Sequence, residues 1–419
     1  MSKKVLHTGL LIISLFTCQQ LFSQAKQPCF LVISDTHIDT SLAKTTYGSE
    51  TGIDLWNTTL HKLKQVITTD KPKFIILLGD LPWHAKRDSL AQLESAKANT
   101  GVVLRDLRKL AQSENIPLLY TPGNNDSQDG DYAAFTAKNG QTPFYLDKGH
   151  EQQWPVITAH KAAVADTSLL RLGCYSAWPL GKTSKLKVIV LNTVIFTKSK
   201  KNPYSLEPDK QQTDAATEMA WLEKQLEAST NDAVLIAMHV PPGQDGYNSS
   251  GNNFWVPGLT YGSNTVLDAF LDLVDKYKTN IVGMFSSHTH MDAIKMLTNR
   301  SNQYTGFILS VPAITPDHGN NPSFKVVNYN PEKFTLTNFT TIYNPIKNNT
   351  ITGWDSSYTF KNEFNCPPDQ SIQTYIQHQF TQDTSLTQFK QYVQNIYMVK
   401  STQPSVNNMD MVVRVKYQK

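Results

Sequence analysis

Five clusters of metal-binding residue types lie along the chain, each directly after a short apolar run. The clusters are Ser34-Asp35-Thr36-His37, Gly79-Asp80, Gly123-Asn124-Asn125-Asp126, His239 and His288-Thr289-His290. They combine carboxylates, imidazoles and one amide, a mixture that suits zinc, manganese or iron, whereas calcium prefers oxygen ligands alone. The candidate ligands are Asp35, His37, Asp80, Asn124, His239, His288 and His290.

This set of ligands exceeds what one tetrahedral ion needs and matches two ions that share one carboxylate. Two cations about 3.5–4 Å apart can hold a phosphoryl oxygen, generate hydroxide from water and stabilise the leaving oxygen. The sequence therefore predicts hydrolysis of a phosphate ester with two divalent ions, Zn²⁺ first and Mn²⁺ or iron as alternatives. Each cluster alone is weak evidence for metal binding, and Asn-Asn-Asp in particular is ordinary turn chemistry. The prediction therefore depends on all five occurring in order.

The apolar runs in front of the clusters predict buried strands. They cover residues 30–33, 74–78, 117–120, 233–238 and 281–285, and each is bounded by turn-forming or polar residues. Strands that are buried on both faces belong to sheets covered by helices. Open α/β sheets place their sites at the carboxyl ends of such strands, which is where the clusters lie.

Helical patterns separate the strands, at residues 55–67 and 214–228, and the alternation predicts an α/β layered fold. After about residue 329 the pattern changes. Residues 333–343 alternate as a strand does, and residues 371–398 have helical spacing. We expect a main domain at 26–335 and a smaller, partly helical C-terminal region at 336–419.

The order of the clusters resembles the calcineurin-like metallophosphoesterase superfamily. The stretch from Gly79 to His84 is similar to the Gly-Asp-x-Pro-x-His signature of acid sphingomyelinase-like phosphodiesterases. Thr315-Pro316, followed by the segment 321–324, is similar to a late substrate-side segment of that family. The resemblance spans roughly residues 30–398 and implies a four-layer αββα sandwich.

The resemblance also implies roles for the ligands. Asp35, His37 and His290 would hold the first ion, Asp80 would bridge both ions, and Asn124, His239 and His288 would complete the second. A metal-bridging hydroxide would attack phosphorus in line with the leaving group.

Two positions depart from the family pattern. Asn125 stands where the family usually has the histidine that donates a proton to the leaving group, and Ser287 replaces a glycine. An amide can hydrogen-bond a phosphoryl oxygen but cannot act as a general acid. His84 is the best substitute, so we expect His84 and Asn125 to be catalytic, and His84, Asn125 and His318 to contact substrate. Loss of the usual acid favours phosphoanhydrides or activated esters.

The remainder of the chain restricts substrate and location. A net charge of +4 with scattered Lys and Arg gives no basic face for a nucleic-acid polymer. Residues 1–25 have the three-part pattern of an export signal, too short for a permanent membrane span; lipid attachment at Cys18 fits less well. Cys29, Cys174 and Cys366 permit one disulfide with a free thiol, or three buried thiols. Oligomeric state is left open.

The acid sphingomyelinases that the chain resembles carry a saposin-like lipid-binding domain, for which the residues before Pro28 leave no room. We therefore expect no such domain here, and a small soluble phosphoester, nucleotide-type or choline-linked, as substrate. Two alternatives stay open at this point. The chain could be a sphingomyelin phosphodiesterase that reaches lipid through exposed apolar surface. Loss of the acid could also mark a catalytically weakened binding protein on the same scaffold.

Overall fold

The computed structural model describes residues 27–84, 89–157, 162–197, 203–246, 252–402 and 408–418. The predicted export signal and Cys18 lie outside these residues. The strands are β1 Cys29–Ile33, β2 Ile75–Leu77, β3 Leu118–Tyr120, β4 Ala163–Asp166, β5 Tyr175–Trp178, β6 Leu186–Val190, β7 Ala233–Ala237, β8 Thr260–Tyr261, β9 Asn264–Thr265, β10 Ile281–Ser286, β11 Ala293–Thr298, β12 Tyr304–Ser310, β13 Ser323–Tyr329, β14 Leu336–Tyr343, β15 Ile346–Lys347, β16 Thr350–Ile351, β17 Ser356–Thr359 and β18 Arg414–Val415. The α-helices are α1 Ile53–Asp70, α2 Leu90–Ser113, α3 Pro208–Glu227, α4 Val266–Lys276, α5 Phe360–Glu363, α6 Ile372–Gln382, α7 Thr387–Tyr397 and α8 Met409–Val413.

Two large sheets form the centre of the fold. Sheet 1 has the order β17-β14-β13-β1-β2-β3, in which β1, β2 and β3 run parallel and the other pairs are antiparallel. Sheet 2 has the order β18-β11-β12-β10-β7-β6-β5-β4, with β6, β7, β10 and β12 parallel. The five predicted apolar runs correspond to β1, β2, β3, β7 and β10, whose carboxyl ends lie on the same side of the fold. The parallel strands β6 and β12 were not predicted.

The sheets pack face to face and are covered by helices on their outer sides. Val32 and Ile76 of sheet 1 share one buried cluster with Val188 and Leu235 of sheet 2. Helices α1 and α2 bury their apolar faces against the outer side of sheet 1, and α3 and α4 do so against sheet 2. The predicted four-layer αββα sandwich is confirmed.

Helix α1 illustrates why these segments fold as they do. Leu55, Thr59, Leu63 and Val66 are its buried residues at helical spacing, which gives one apolar stripe toward the sheet. The chain leaves the helix at Lys71 in a left-handed conformation, φ 52°, whose N–H donates to the Ile67 carbonyl. This stop returns the chain to the start of β2.

The C-terminal region is continuous with the main sheets. The predicted boundary between residues 335 and 336 falls between β13 and β14, which pair along their lengths. Strand β17 extends sheet 1, and β18 pairs with β11 of sheet 2. Helices α6 and α7 add side chains to the cluster between the sheets, so the partly helical character is observed, but the core is shared.

The three cysteines in the described part are buried, and no disulfide joins any two of them. Among the described residues, no helix combines the length and apolar character needed to cross a membrane.

Candidate metal centre

The carboxyl ends of five parallel strands bring the seven predicted ligands together. Asp35 and His37 follow β1, Asp80 follows β2, and Asn124 follows β3. His239 follows β7, and the loop after β10 carries His288 and His290. Six of the seven side chains are buried and His288 is half-buried, which places polar groups where an apolar core would otherwise continue.

The distances between their ligand atoms fit shared cations rather than hydrogen bonds. Asp35 Oδ1 lies 3.6 Å from His290 Nε2 and 3.8 Å from His37 Nε2, and Asp80 Oδ2 lies 3.5 Å from His37 Nε2. Ligands about 2.1 Å from a tetrahedral ion are about 3.4 Å from one another. Asp35 Oδ1 and His37 Nε2 are buried without a hydrogen-bond partner, as expected of atoms that a cation would satisfy.

Asp80 belongs to both ligand groups. Asp35, His37 and Asp80 form one set of converging atoms, and Asp80, His239 and His288 form the other. Its Oδ2 lies 3.2 Å from His239 Nε2, which in turn lies 3.1 Å from Asn124 Oδ1. Asp80 therefore occupies the position that a bridging ligand requires.

Three of the imidazoles are oriented by hydrogen-bond acceptors at their Nδ1 atoms. His37 Nδ1 lies 2.9 Å from the Pro82 carbonyl, His239 Nδ1 lies 2.6 Å from the Leu78 carbonyl, and His290 Nδ1 lies 2.7 Å from Asp317 Oδ1. An Nδ1–H that donates to such an acceptor fixes the tautomer and leaves Nε2 as the ligand atom. The rings are thus held ready to coordinate.

The backbone is strained at most of the ligands. The φ angles are +46° at Asp35, +36° at His37, +56° at Asp80, +71° at His288 and +63° at His290. This left-handed region is costly for residues with a Cβ, and such conformations concentrate at functional sites where the surrounding structure enforces them.

A close approach of two loops helps to enforce this geometry. A Cβ on Gly123 would lie 2.2 Å from the Asp80 nitrogen, and one on Gly79 would lie 2.3 Å from the Gly123 nitrogen. Only glycine fits at either position. The contact sets the loop after β2 against the loop after β3.

Buried carboxylates dominate the charge of the centre. Burial alone would raise the pKa of Asp80, but His239, His37 and the backbone N–H of Asn125 hold that pKa well below its usual range. Burial would lower the pKa of His239, but Asp80 and Asp35 raise it to about 9. Burial and the neighbouring His239 lower the pKa of His288 to about 3. The ionised carboxylates therefore favour cations, and a metal that binds His239 must displace its proton.

Asn125 hydrogen-bonds the carboxylate of Asp80. Its backbone N–H donates to Asp80 Oδ1 at 2.8 Å and its side-chain Nδ2–H donates to Asp80 Oδ2 at 2.9 Å. The residue is buried, and both hydrogen bonds orient Asp80. Its predicted contact with substrate stays a prediction.

A cavity of about 220 Å³ opens over the ligands. His84 and His318 line it beside Asp80, Asn124, His288 and His290, and its outer wall contains Asp131, Tyr132, Asp245, Phe254 and Thr289. His84 and His318 therefore face the cavity, and their predicted contacts with substrate stay predictions. The His84 ring stacks on His37 with centroids 3.8 Å apart.

Two carboxylates hold His84. Its Nδ1 lies 2.9 Å from Glu50 Oε1 and 3.3 Å from Asp317 Oδ2. Burial opposes the charged imidazolium, but Glu50 and Asp317 raise the pKa of His84 to about 9. Burial and the nearby His290 instead lower the pKa of His318 to about 4. At neutral pH, His84 carries a proton that it can donate, and His318 does not.

The chain also matches a known protein family. The family described as calcineurin-like phosphoesterase matches residues 30–292. The chain belongs to this family. The assignment confirms the predicted metallophosphoesterase and the prediction of an enzyme that hydrolyses phosphoric esters, and the family fold implies divalent metal ions.

Two relatives agree with the acid sphingomyelinase-like resemblance. The chain is 26% identical over 348 residues to the cyclic GMP-AMP phosphodiesterase SMPDL3A of Mus musculus, covering 76% of this chain and 68% of the relative. It is 27% identical over 335 residues to sphingomyelinase phosphodiesterase D of Dictyostelium discoideum, covering 75% and 66%. The chain thus matches only about two thirds of the length of these relatives. Among solved structures, a dimetal phosphatase from Danio rerio matches with a TM-score of 0.46 and 12% identity, covering 80% of this chain and 98% of that chain.

Several residues of this phosphoesterase site were missed by sequence reasoning. Glu50 and Asp317 hold His84, and Asp126 accepts hydrogen bonds from the backbone N–H groups of Asp80 and Leu81 at 3.1 and 2.8 Å. Asp126 ends the Gly-Asn-x-Asp motif and could have been found there. Glu50 lies in a loop without a motif, and only its contact with His84 reveals it.

Proposed function

We propose that the chain is an exported phosphodiesterase that hydrolyses a soluble phosphodiester or phosphoanhydride, nucleotide-type or choline-linked, with two divalent cations. The convergence of seven ligand side chains, with a buried carboxylate oxygen and an imidazole nitrogen left without hydrogen-bond partners, carries the proposal. The positively charged start of residues 1–25 supports export.

The cations would be held as two groups. One cation would be bound by Asp35, His37 and His290. The other would be bound by Asn124, His239 and His288, and Asp80 would bind both cations. When bound, two such ions supply a nucleophile from water at neutral pH and neutralise charge on the phosphoryl group. Zn²⁺ suits the imidazole-rich ligand set, with Mn²⁺ or iron as alternatives.

His84 would supply the proton that the leaving group needs. It faces the cavity, and Glu50 and Asp317 keep it protonated at neutral pH. Transfer of that proton to the ester oxygen forms an O–H bond as the P–O bond breaks, so the product leaves as a neutral alcohol. Asn125 has no proton to give and would instead hold Asp80 in place.

The residues in the outer wall of the cavity indicate which substrates it would accept. The rings of Tyr132 and Phe254 lie nearly perpendicular to the His288 ring, with centroids 6.3 and 5.6 Å away. Asp131 and Asp245 line the same wall and add negative charge. Rings can pack against a flat or apolar substituent. The carboxylates disfavour polyanions, so the wall favours a singly charged diester over a nucleoside triphosphate.

A sphingomyelin phosphodiesterase is the second candidate, favoured by the similarity to sphingomyelinase phosphodiesterase D of Dictyostelium discoideum. This candidate would reach lipid through exposed apolar side chains. Among the described residues, the most exposed large ones are Leu206 and Leu90, which are 84% and 74% exposed. Activity on detergent-dispersed sphingomyelin, compared with a soluble nucleotide diester, distinguishes the two candidates.

The test combines metal content with hydrolysis. Purified protein is analysed for bound metals and assayed on bis-p-nitrophenyl phosphate, a nucleoside triphosphate, a choline-linked diester and sphingomyelin. Asp80→Ala and His239→Ala should lose both metal and turnover. His378→Ala, which removes an exposed imidazole from α6, should retain both. Absence of metal and of turnover in the unaltered chain, after zinc or manganese is supplied, would contradict the proposal.

Export is tested separately. The chain is expressed with its first 25 residues, and the amino terminus of the protein recovered outside the cytoplasm is sequenced. A terminus near residue 26 supports removal of a signal, whereas protein retained in the cytoplasm with Met1 intact argues against export.

A further inference from the structure

A buried polar cluster joins the two sheets behind the loop that carries His288 and His290. Its centre is Asp292, which precedes β11 of sheet 2 and is fully buried. Its Oδ2 accepts hydrogen bonds from Lys325 Nζ at 2.6 Å, Thr341 Oγ1 at 2.9 Å and Tyr358 Oη at 2.7 Å. These donors come from β13, β14 and β17, three neighbouring strands of sheet 1. One carboxylate therefore joins the two sheets.

Lys325 is as deeply buried as its partner. It is 0% exposed, and Nζ also donates to Thr341 Oγ1 at 2.7 Å and lies 3.7 Å from the centre of the Phe339 ring. Burying two opposite charges carries a desolvation cost that their attraction often fails to offset, and well-packed apolar residues of similar size are frequently at least as stable. Stability alone is thus a poor explanation for this pair in the core between the sheets.

The loop beside the pair needs external support. His288 and His290 have φ of +71° and +63°, a conformation that persists only when the surrounding structure enforces it. The Asp292 N–H donates to the Tyr397 carbonyl at 3.0 Å, and the His290 carbonyl accepts the Ala313 N–H at 3.2 Å. Asp292 is the point at which this loop is anchored to sheet 1 and to the C-terminal region.

We propose that Asp292 and Lys325 are positioning residues for the metal centre, fixing the His288–His290 loop against sheet 1 so that both imidazoles meet their ligand partners. The inference rests on the proposed function only in taking these histidines as ligands. Neither Asp292 nor Lys325 lines the cavity, so both act through the loop. By the same contacts, Thr341 and Tyr358 make the C-terminal region part of the support of the centre.

The test compares metal affinity with stability. Asp292→Asn and Lys325→Met disrupt the pair, and Tyr358→Phe removes one donor while leaving the pair in place. Arg108→Met is the matched control, because Arg108 forms another buried ion pair, 2.6 Å from Asp147, outside the cavity. Zn²⁺ affinity is measured by competition with a chelator, the melting temperature by calorimetry, and turnover on bis-p-nitrophenyl phosphate.

We expect Asp292→Asn and Lys325→Met to weaken Zn²⁺ affinity about tenfold, the low end for groups that orient ligands, with a smaller effect of Tyr358→Phe. Arg108→Met should melt earlier and bind Zn²⁺ as the unaltered chain does. If the variants of the cluster melt earlier with unchanged affinity, the inference is wrong. Where Lys325→Met does not fold, Tyr358→Phe decides. Zn²⁺ binding without turnover in the unaltered chain contradicts the proposed function alone.

Discussion

Replacement of His84 by glutamine separates proton donation from every other role of this residue. Glutamine keeps a polar side chain of similar reach and can still donate a hydrogen bond to a phosphoryl oxygen, but it has no acidic proton. If His84 is the general acid, the loss must depend on how much the leaving group needs a proton. Alkoxides need one, whereas p-nitrophenoxide leaves without it.

The structure sets the size of the expected loss. General-acid catalysis typically contributes 10²–10⁴-fold. The His84 side chain is 39% exposed, so water can reach the leaving oxygen and replace part of the acid, which places the loss near the low end of that range. We expect kcat/KM to fall about 100-fold on an alkyl phosphodiester and far less on bis-p-nitrophenyl phosphate.

The assay measures kcat/KM at pH 7 for both substrates, with metal content checked in each variant. His318→Gln is one control, because His318 lines the same cavity but has a pKa of about 4 and is therefore a neutral imidazole at pH 7, not an imidazolium acid. His61→Gln, at an exposed position of α1, is the other. Equal losses on both substrates in His84→Gln, or an equal leaving-group effect in His318→Gln, would refute the assignment of the acid.

Three further predictions concern the surroundings of the centre. The pKa of His84 is raised to about 9, so His84 stays protonated below that pH, and we expect activity on an alkyl ester to fall as the pH rises through 9. Glu50→Gln should move this fall in activity to lower pH by about one unit. An unchanged pH–rate profile would contradict the pairing of Glu50 with His84. Chelation should lower the melting temperature, since a cation at 100 times its Kd stabilises by about 2.7 kcal/mol; equal calorimetric scans with and without zinc would argue against a preformed site. Gly123→Ala should lower the free energy of unfolding, measured with a denaturant, by about 1–3 kcal/mol and reduce the amount of bound metal, because the added Cβ would lie 2.2 Å from the Asp80 nitrogen. Gly258→Ala, with open space around it, should change neither quantity.

The candidate metal ligands could be located from sequence because strand ends have a local signal. A buried parallel strand is an uninterrupted apolar run, so the first polar residue after it marks the edge of the sheet. Asp35, Asp80 and His239 follow their strands within three residues, and the structure brings them to one edge as expected. The strand ends are thus a local signal, whereas the convergence of the set depends on the strand order of both sheets, which the local pattern does not give.

The groups that hold His84 carry no such signal. Glu50 is 34 residues away and belongs to a loop whose path depends on its packing against other loops. Helix α2 was missed for a related reason, since Asn99, Thr100 and Gly101 are buried within it and interrupt the apolar stripe. Gly101 is explained only by packing, because a Cβ there would lie 2.6 Å from the Leu146 carbonyl oxygen.

The position of β1 in the middle of sheet 1 has a consequence for how the chain is made. This strand is synthesised well before one of its two neighbours, β13, Ser323–Tyr329, which follows nearly 300 residues later. Pairings between such distant segments form slowly and only after the second partner exists. The positions of Asp35 and His37, directly after β1, are therefore fixed only after most of the polypeptide has been synthesised. This order is compatible with the proposed export, in which the cations would bind only after the chain has crossed the membrane.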